Sequence, residues 1–216
     1  MISEEEMTLV NNTEWIITKQ LLIKKVYDLF GILHNSFQKR SEAYVQIFPM
    51  GISSMQGKIS KGENYRSLPY VILDYPAFYF KENVFVIRTM FWWGHFFSIT
   101  LQLSGKYKSK FICEHDKITE WLQEKNYFIC INHKEWEHHF DTDNYLPACS
   151  LTKEQLSEIM DKPFLKISKK SPLTEWNNAE VFLKSCFEEL LEFLQINYQG
   201  DETNLSPGFP IVDSGL

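Results

Sequence analysis

The chain has 216 residues, of which 44% are hydrophobic, 23% charged and 15% aromatic, and its net charge is −6. Such a length buries a sizeable core without a disulfide or metal staple, and the composition excludes collagen, coiled coil and wholesale disorder. No apolar run approaches the ~18 residues of a membrane span, and the acidic balance argues against a general affinity for nucleic acid.

Residues 13–39 predict a long helix. Trp15, Leu22, Val26, Leu29, Leu33 and Phe37 recur at three-, four- and seven-residue intervals, with Thr13 as N-cap. Residues 42–48 have strand character and stop at Pro49. From 51 to 69 the periodicity vanishes among glycine, serine, lysine and asparagine, which predicts a loop or a short hairpin with wide turns. Three strands follow, at 70–75 (closed by Pro76), 83–93 and 96–104. Gly94-His95 has the form of a two-residue hairpin turn, which would set Trp93 opposite Phe96. One face would then carry Val86, Arg88, Met90 and Trp92 with Phe97, Ile99, Leu101 and Leu103. The other would carry Phe85, Ile87, Thr89, Phe91 and Trp93 with Phe96, Ser98, Thr100 and Gln102.

A helix is expected from Gly105 to about Lys125, a buried strand at 127–131 and an irregular, aromatic stretch at 132–149. Thr152 and Gln155 form a capping box ahead of a short helix that ends before Pro163. Phe164–Ser168 reads as an edge strand, and a final helix spans about 178–197. These elements predict one α+β domain over residues 1–199. Its core is an antiparallel sheet of about five strands centred on 70–104, with the long N- and C-terminal helices packed on one face. Residues 200–216, rich in Gly, Pro, Ser and Asp, predict a mobile tail.

Cys113, Cys130, Cys149 and Cys186 lack a C-x-x-C pair, which favours free thiols in a reducing compartment. The acidic start, Met1 to Met7, lacks the layout of a signal peptide, so a cytoplasmic protein is expected.

Arg88 is the most informative side chain. Placed on an apolar sheet face, its charge must meet a carboxylate, main-chain carbonyls or a bound anion. Asp74 is the nearest candidate partner. A three-residue turn at 81–83 would put Asp74 on the Arg88 side, and a two-residue turn at 82–83 would put it opposite. Tyr70 and Tyr65 could line a cavity there. His95, in the hairpin turn, lacks an identifiable partner for acid–base work. The segment 57–66 holds the ingredients of an anion cradle but no Walker sequence. His133, His138 and His139 lie among four acids, at spacings that match no metal motif, so no metal site is expected. No cofactor motif is present either. The lysine clusters 106/108/110 and 166/169/170 read as a solvated helix face and a lysine-protected edge rather than a nucleic-acid surface.

Two functions compete. One is a non-catalytic binding or interaction module that uses the aromatic-rich sheet face for an amphiphilic ligand, a partner protein or a second copy of itself. The other is an enzyme acting on a small anionic substrate, anchored by Arg88, with Asp74 or His95 as the acid–base group.

Overall fold

The computed structural model describes residues 1–49 and 57–198. The expected tail at 200–216 and the start of the expected loop lie outside those residues. Three successive hairpins build four of the strands: β1 (Lys58–Tyr65), β2 (Leu68–Phe80), β3 (Asn83–Trp92) and β4 (Phe96–Ser104). The first turn, Arg66-Ser67, has φ of 50° and 68°, the doubly left-handed backbone that a two-residue hairpin needs to match strand twist. It produces a strand from residues whose polarity had predicted a loop or wide-turned hairpin. The remaining strands are β5 (Phe128–Cys130), β6 (Tyr145–Pro147) and β7 (Phe164–Pro172). All pair antiparallel in the order β1-β2-β3-β4-β7-β5-β6. Among the described residues the sheet therefore has seven strands rather than about five.

Two of the extra strands come from sequence that gives little signal. β7 is an interior strand, wedged between β4 and β5, and not an edge. Two of its three lysines are engaged inward: Lys166 is 1% exposed, and half-buried Lys169 meets Glu189 at 2.7 Å. Residues Glu42–Ile47, expected as a strand, continue the preceding helix as a tight 3-10 turn that buries Ile47. The helix expected over 105–125 breaks at Ile112 into α3 (Gly105–Phe111) and α4 (His115–Glu124). The capping box forms as expected, with Thr152 accepting from the Gln155 amide, and opens α5 (Lys153–Met160).

The register of the β3–β4 hairpin decides the rest. Trp92, not Trp93, faces Phe96, so the turn has three residues, Trp93-Gly94-His95. A slip of one residue exchanges the two faces of a strand. Phe85, Ile87 and Phe91 therefore pair with Leu103, Leu101 and Phe97. This apolar face carries the core under α2 (Thr13–Ser41) and α6 (Ala179–Ile196). Phe37 of α2 stacks on Phe187 of α6 at 3.9 Å. Each such ring, fully buried, contributes about 1.5–3 kcal/mol. The aromatic face expected to be open is thus the covered one: Phe85, Thr89 and Phe91 lie inside the core. Arg88 falls on the opposite side, across from Thr100, and not among Ile99, Leu101 and Leu103.

Candidate functional site

The second face of the sheet is polar at its centre. Asp74 opposes Arg88, and Arg88 opposes Thr100, which opposes Ser168. Gln102 and Lys166 form the next pair along. Asp74 reaches this register by a device that neither expected turn supplied. The β2–β3 turn is Lys81-Glu82, flanked by the pair Phe80 and Asn83. A one-residue shift between Asp74 and Ala77 then slides the carboxylate opposite Arg88. β2 runs through Pro76 at that irregularity, where the missing N–H leaves no ladder bond unmade.

Arg88 and Asp74 form a two-pronged ion pair, Nε to Oδ1 at 2.7 Å and Nη2 to Oδ2 at 2.8 Å. Their side chains are only 14% and 11% exposed. The Tyr79 hydroxyl donates to Asp74 Oδ2 at 2.9 Å and accepts from Arg88 Nη2 at 3.3 Å. Arg88 Nη1 lies 3.1 Å from His138 Nε2. Because guanidinium can only donate, Nε2 must accept, which places the imidazole proton on Nδ1. Burial, then the charges of Lys166 and Arg88, hold the His138 pKa well below its usual value. Trp136 covers the guanidinium, its ring centre 5.6 Å from Cζ.

Above this layer runs a strap, residues 131–144. Cations and one phenol tie it down by its main chain. Lys166 Nζ donates to the carbonyls of Glu135 (2.8 Å) and Glu137 (2.5 Å), and burial lowers the Lys166 pKa to about 8. Lys162 Nζ donates to the Ile131 carbonyl at 2.6 Å. The Tyr65 hydroxyl accepts from the His138 and His139 amides at 2.7 and 3.0 Å and donates to Glu137 at 3.0 Å. Phe140 plugs into a ring cluster, 5.0 Å from Phe96 and 4.6 Å from Tyr145.

The four expected site residues do not converge. Arg88 and Asp74 meet, whereas Tyr70 lies four residues along β2 from Asp74, about 13 Å away on the same face. There Tyr70 packs with Tyr65, Met90 and Trp92. His95 stacks on Trp92 at 3.6 Å in the exposed turn. The 57–66 segment is a strand and turn rather than a cradle, and Arg66 pairs with Asp141 at 2.5 Å. Donor atoms of His139, Asp141 and Asp143 do come within 4.8 Å of one another, a grouping that the spacing had not suggested. Arg66 already neutralises Asp141 there.

A different feature went unread in the sequence because it belongs to a stripe that looks like core throughout. From Val26 to Phe37 the apolar stripe of α2 is buried. Towards the N-terminus the same stripe continues through half-buried Leu22 to exposed Trp15. Trp15, Ile16, Ile17 and Leu21 are exposed, as are Ile2, Met7, Leu9 and Val10 around α1 (Glu4–Asn11), which buries no residue. Asn12 both ends α1 and caps α2, its side chain accepting from the Trp15 amide at 2.9 Å. Residues 1–21 thus form a helical arm whose large apolar side chains are all exposed.

Compared with protein-family models, with curated proteins and with solved structures, the chain matches none. No helix among the described residues is long and apolar enough to cross a membrane.

Proposed function

We propose that the protein is an interaction module whose docking element is the N-terminal arm, with the sheet and its strap as the rigid base. One observation carries this reading: every large apolar side chain from Met1 to Leu21 (Met1, Ile2, Met7, Leu9, Val10, Trp15, Ile16, Ile17 and Leu21) is exposed, whereas the stripe of α2 from Val26 onward is buried. Exposed apolar surface gathered on one segment marks an interaction site. The sheet face expected to receive a partner is less suited, because Phe85, Phe91 and Phe96 are buried within the chain.

The alternative, an enzyme that anchors a small anion on Arg88, has no observation in its favour. The guanidinium's hydrogen bonds end on Asp74, Tyr79 and His138. Native mass spectrometry of the protein purified from its own host tests the module reading. The wild type should carry a second chain, and Ile17→Glu with Leu21→Glu should emerge bare at unchanged thermal stability, since both side chains are exposed. A wild type that is a bare monomer would overturn the proposal.

A further inference from the structure

Accepting the arm as the docking element, we infer that its occupant is the arm of a second copy, lying antiparallel to the first. The charges over residues 1–25 are sorted along the chain. All four acids, Glu4, Glu5, Glu6 and Glu14, precede Trp15, and all three bases, Lys19, Lys24 and Lys25, follow it. Two arms running in opposite directions place the acidic end of each beside the basic end of the other. Two arms running the same way would stack like on like. An apolar segment with opposite charges segregated to its two ends is self-complementary about a two-fold axis, and a two-fold contact uses the same patch on both chains.

The apolar side chains are distributed to match. The exposed Leu9 and Val10 on the acidic half and Ile17 and Leu21 on the basic half lie on either side of Trp15. Antiparallel pairing therefore brings aliphatic against aliphatic, with Trp15 near the axis. Lys19 Nζ already lies 6.0 Å from the Trp15 ring centre. Helix-to-helix contact through i, i+3/i+4 stripes is the ordinary way such surfaces are covered.

Sedimentation of the full chain, with charge-swapped variants, tests this. Glu4→Lys with Glu5→Lys, and separately Lys24→Glu with Lys25→Glu, alter only exposed side chains. They leave the capping residues Ser3 and Glu6 in place. The wild type should sediment as a dimer, each variant alone should associate at least about tenfold more weakly, and an equimolar mixture of the two variants should regain the dimer. The mixture also controls for helix loss in α1, because a melted helix would not be rescued by a partner. Variants that dimerise as well as the wild type would overturn the antiparallel pairing. A monomeric wild type bound to a different chain, released by the Ile17/Leu21 substitutions, would overturn the self-pairing and leave the module reading standing. A monomer that carries nothing would remove both.

Discussion

Replacing Asp74 by Asn keeps the size of the side chain and removes its charge. In the folded chain the carboxylate is the buried counter-charge to Arg88, held at 2.7 and 2.8 Å and 11% exposed. Lys166 lies on the same polar layer and is 1% exposed. Without Asp74, two cations share that layer with no buried anion in direct contact. Breaking a buried pair from one side costs about 3–5 kcal/mol, because the remaining charge stays desolvated. Against a typical total of about 5–15 kcal/mol, such a loss shifts the urea midpoint greatly. A solvent-exposed pair such as Arg40–Glu188, whose side chains are half exposed, should cost less than about 1 kcal/mol when broken the same way. Equilibrium urea unfolding, followed by tryptophan fluorescence, measures both. Adding Arg88→Met to Asp74→Leu should recover much of the loss, since nothing charged is then left to desolvate. Should Asp74→Asn fall within about 1 kcal/mol of the wild type, the pair is not the structural element described, and Arg88 is free for another role.

The His138 imidazole, held neutral by burial below its ordinary pKa of 6.5, ties stability to pH. The unfolded chain takes up a proton as pH falls below 6.5 while the folded chain does not, so stability is full above 6.5 and declines below it. The slope is about 1.4 kcal/mol per pH unit until the folded group titrates. Urea midpoints of the wild type and His138→Gln should diverge in slope between about pH 6.5 and 5, and parallel curves would refute the burial. Tyr65→Phe removes the acceptor of two strap amides. It should cost about 1–3 kcal/mol and speed hydrogen exchange at His138 and His139; unchanged exchange there would show that the strap is held otherwise. Thr89 is wholly buried on the apolar face and its hydroxyl has no partner among the described residues. Thr89→Val should therefore raise stability by about 1 kcal/mol in thermal unfolding, and a loss would reveal a hidden partner.

Much of the architecture was legible because it rests on side-chain periodicity. The α6 stripe, the Thr152 capping box and the strands flanking Gly94 all announce themselves by type and spacing. What escaped depends on backbone geometry. A turn of three residues rather than two at 93–95 is nearly silent in composition, yet it moves Arg88 from one face to the other. β1 is polar and rests on the left-handed pair Arg66-Ser67, residues that do not advertise such a turn. The Arg88–Asp74 pair was foreseen as a candidate. The strap above it was not, since Lys162 and Lys166 bond to its carbonyls and Tyr65 to its amides, and main-chain groups leave no trace in residue identity. The arm was hidden for the opposite reason: apolar residue types in a helix read as core, and nothing in them marks where the covering surface stops.

The interior place of β7 carries a consequence for how the chain comes into being. β4 ends at Ser104, but the neighbour that completes its far edge spans Phe164–Pro172. On the ribosome, the open side of Phe96-Phe97-Ser98-Ile99-Thr100-Leu101 must wait for some sixty further residues before its ladder can close. An apolar, unpaired edge is a template for joining neighbouring chains, and pairing so distant in sequence is slow. Nascent chains halted between these two strands should be the aggregation-prone species of this protein, and chaperone capture should peak there.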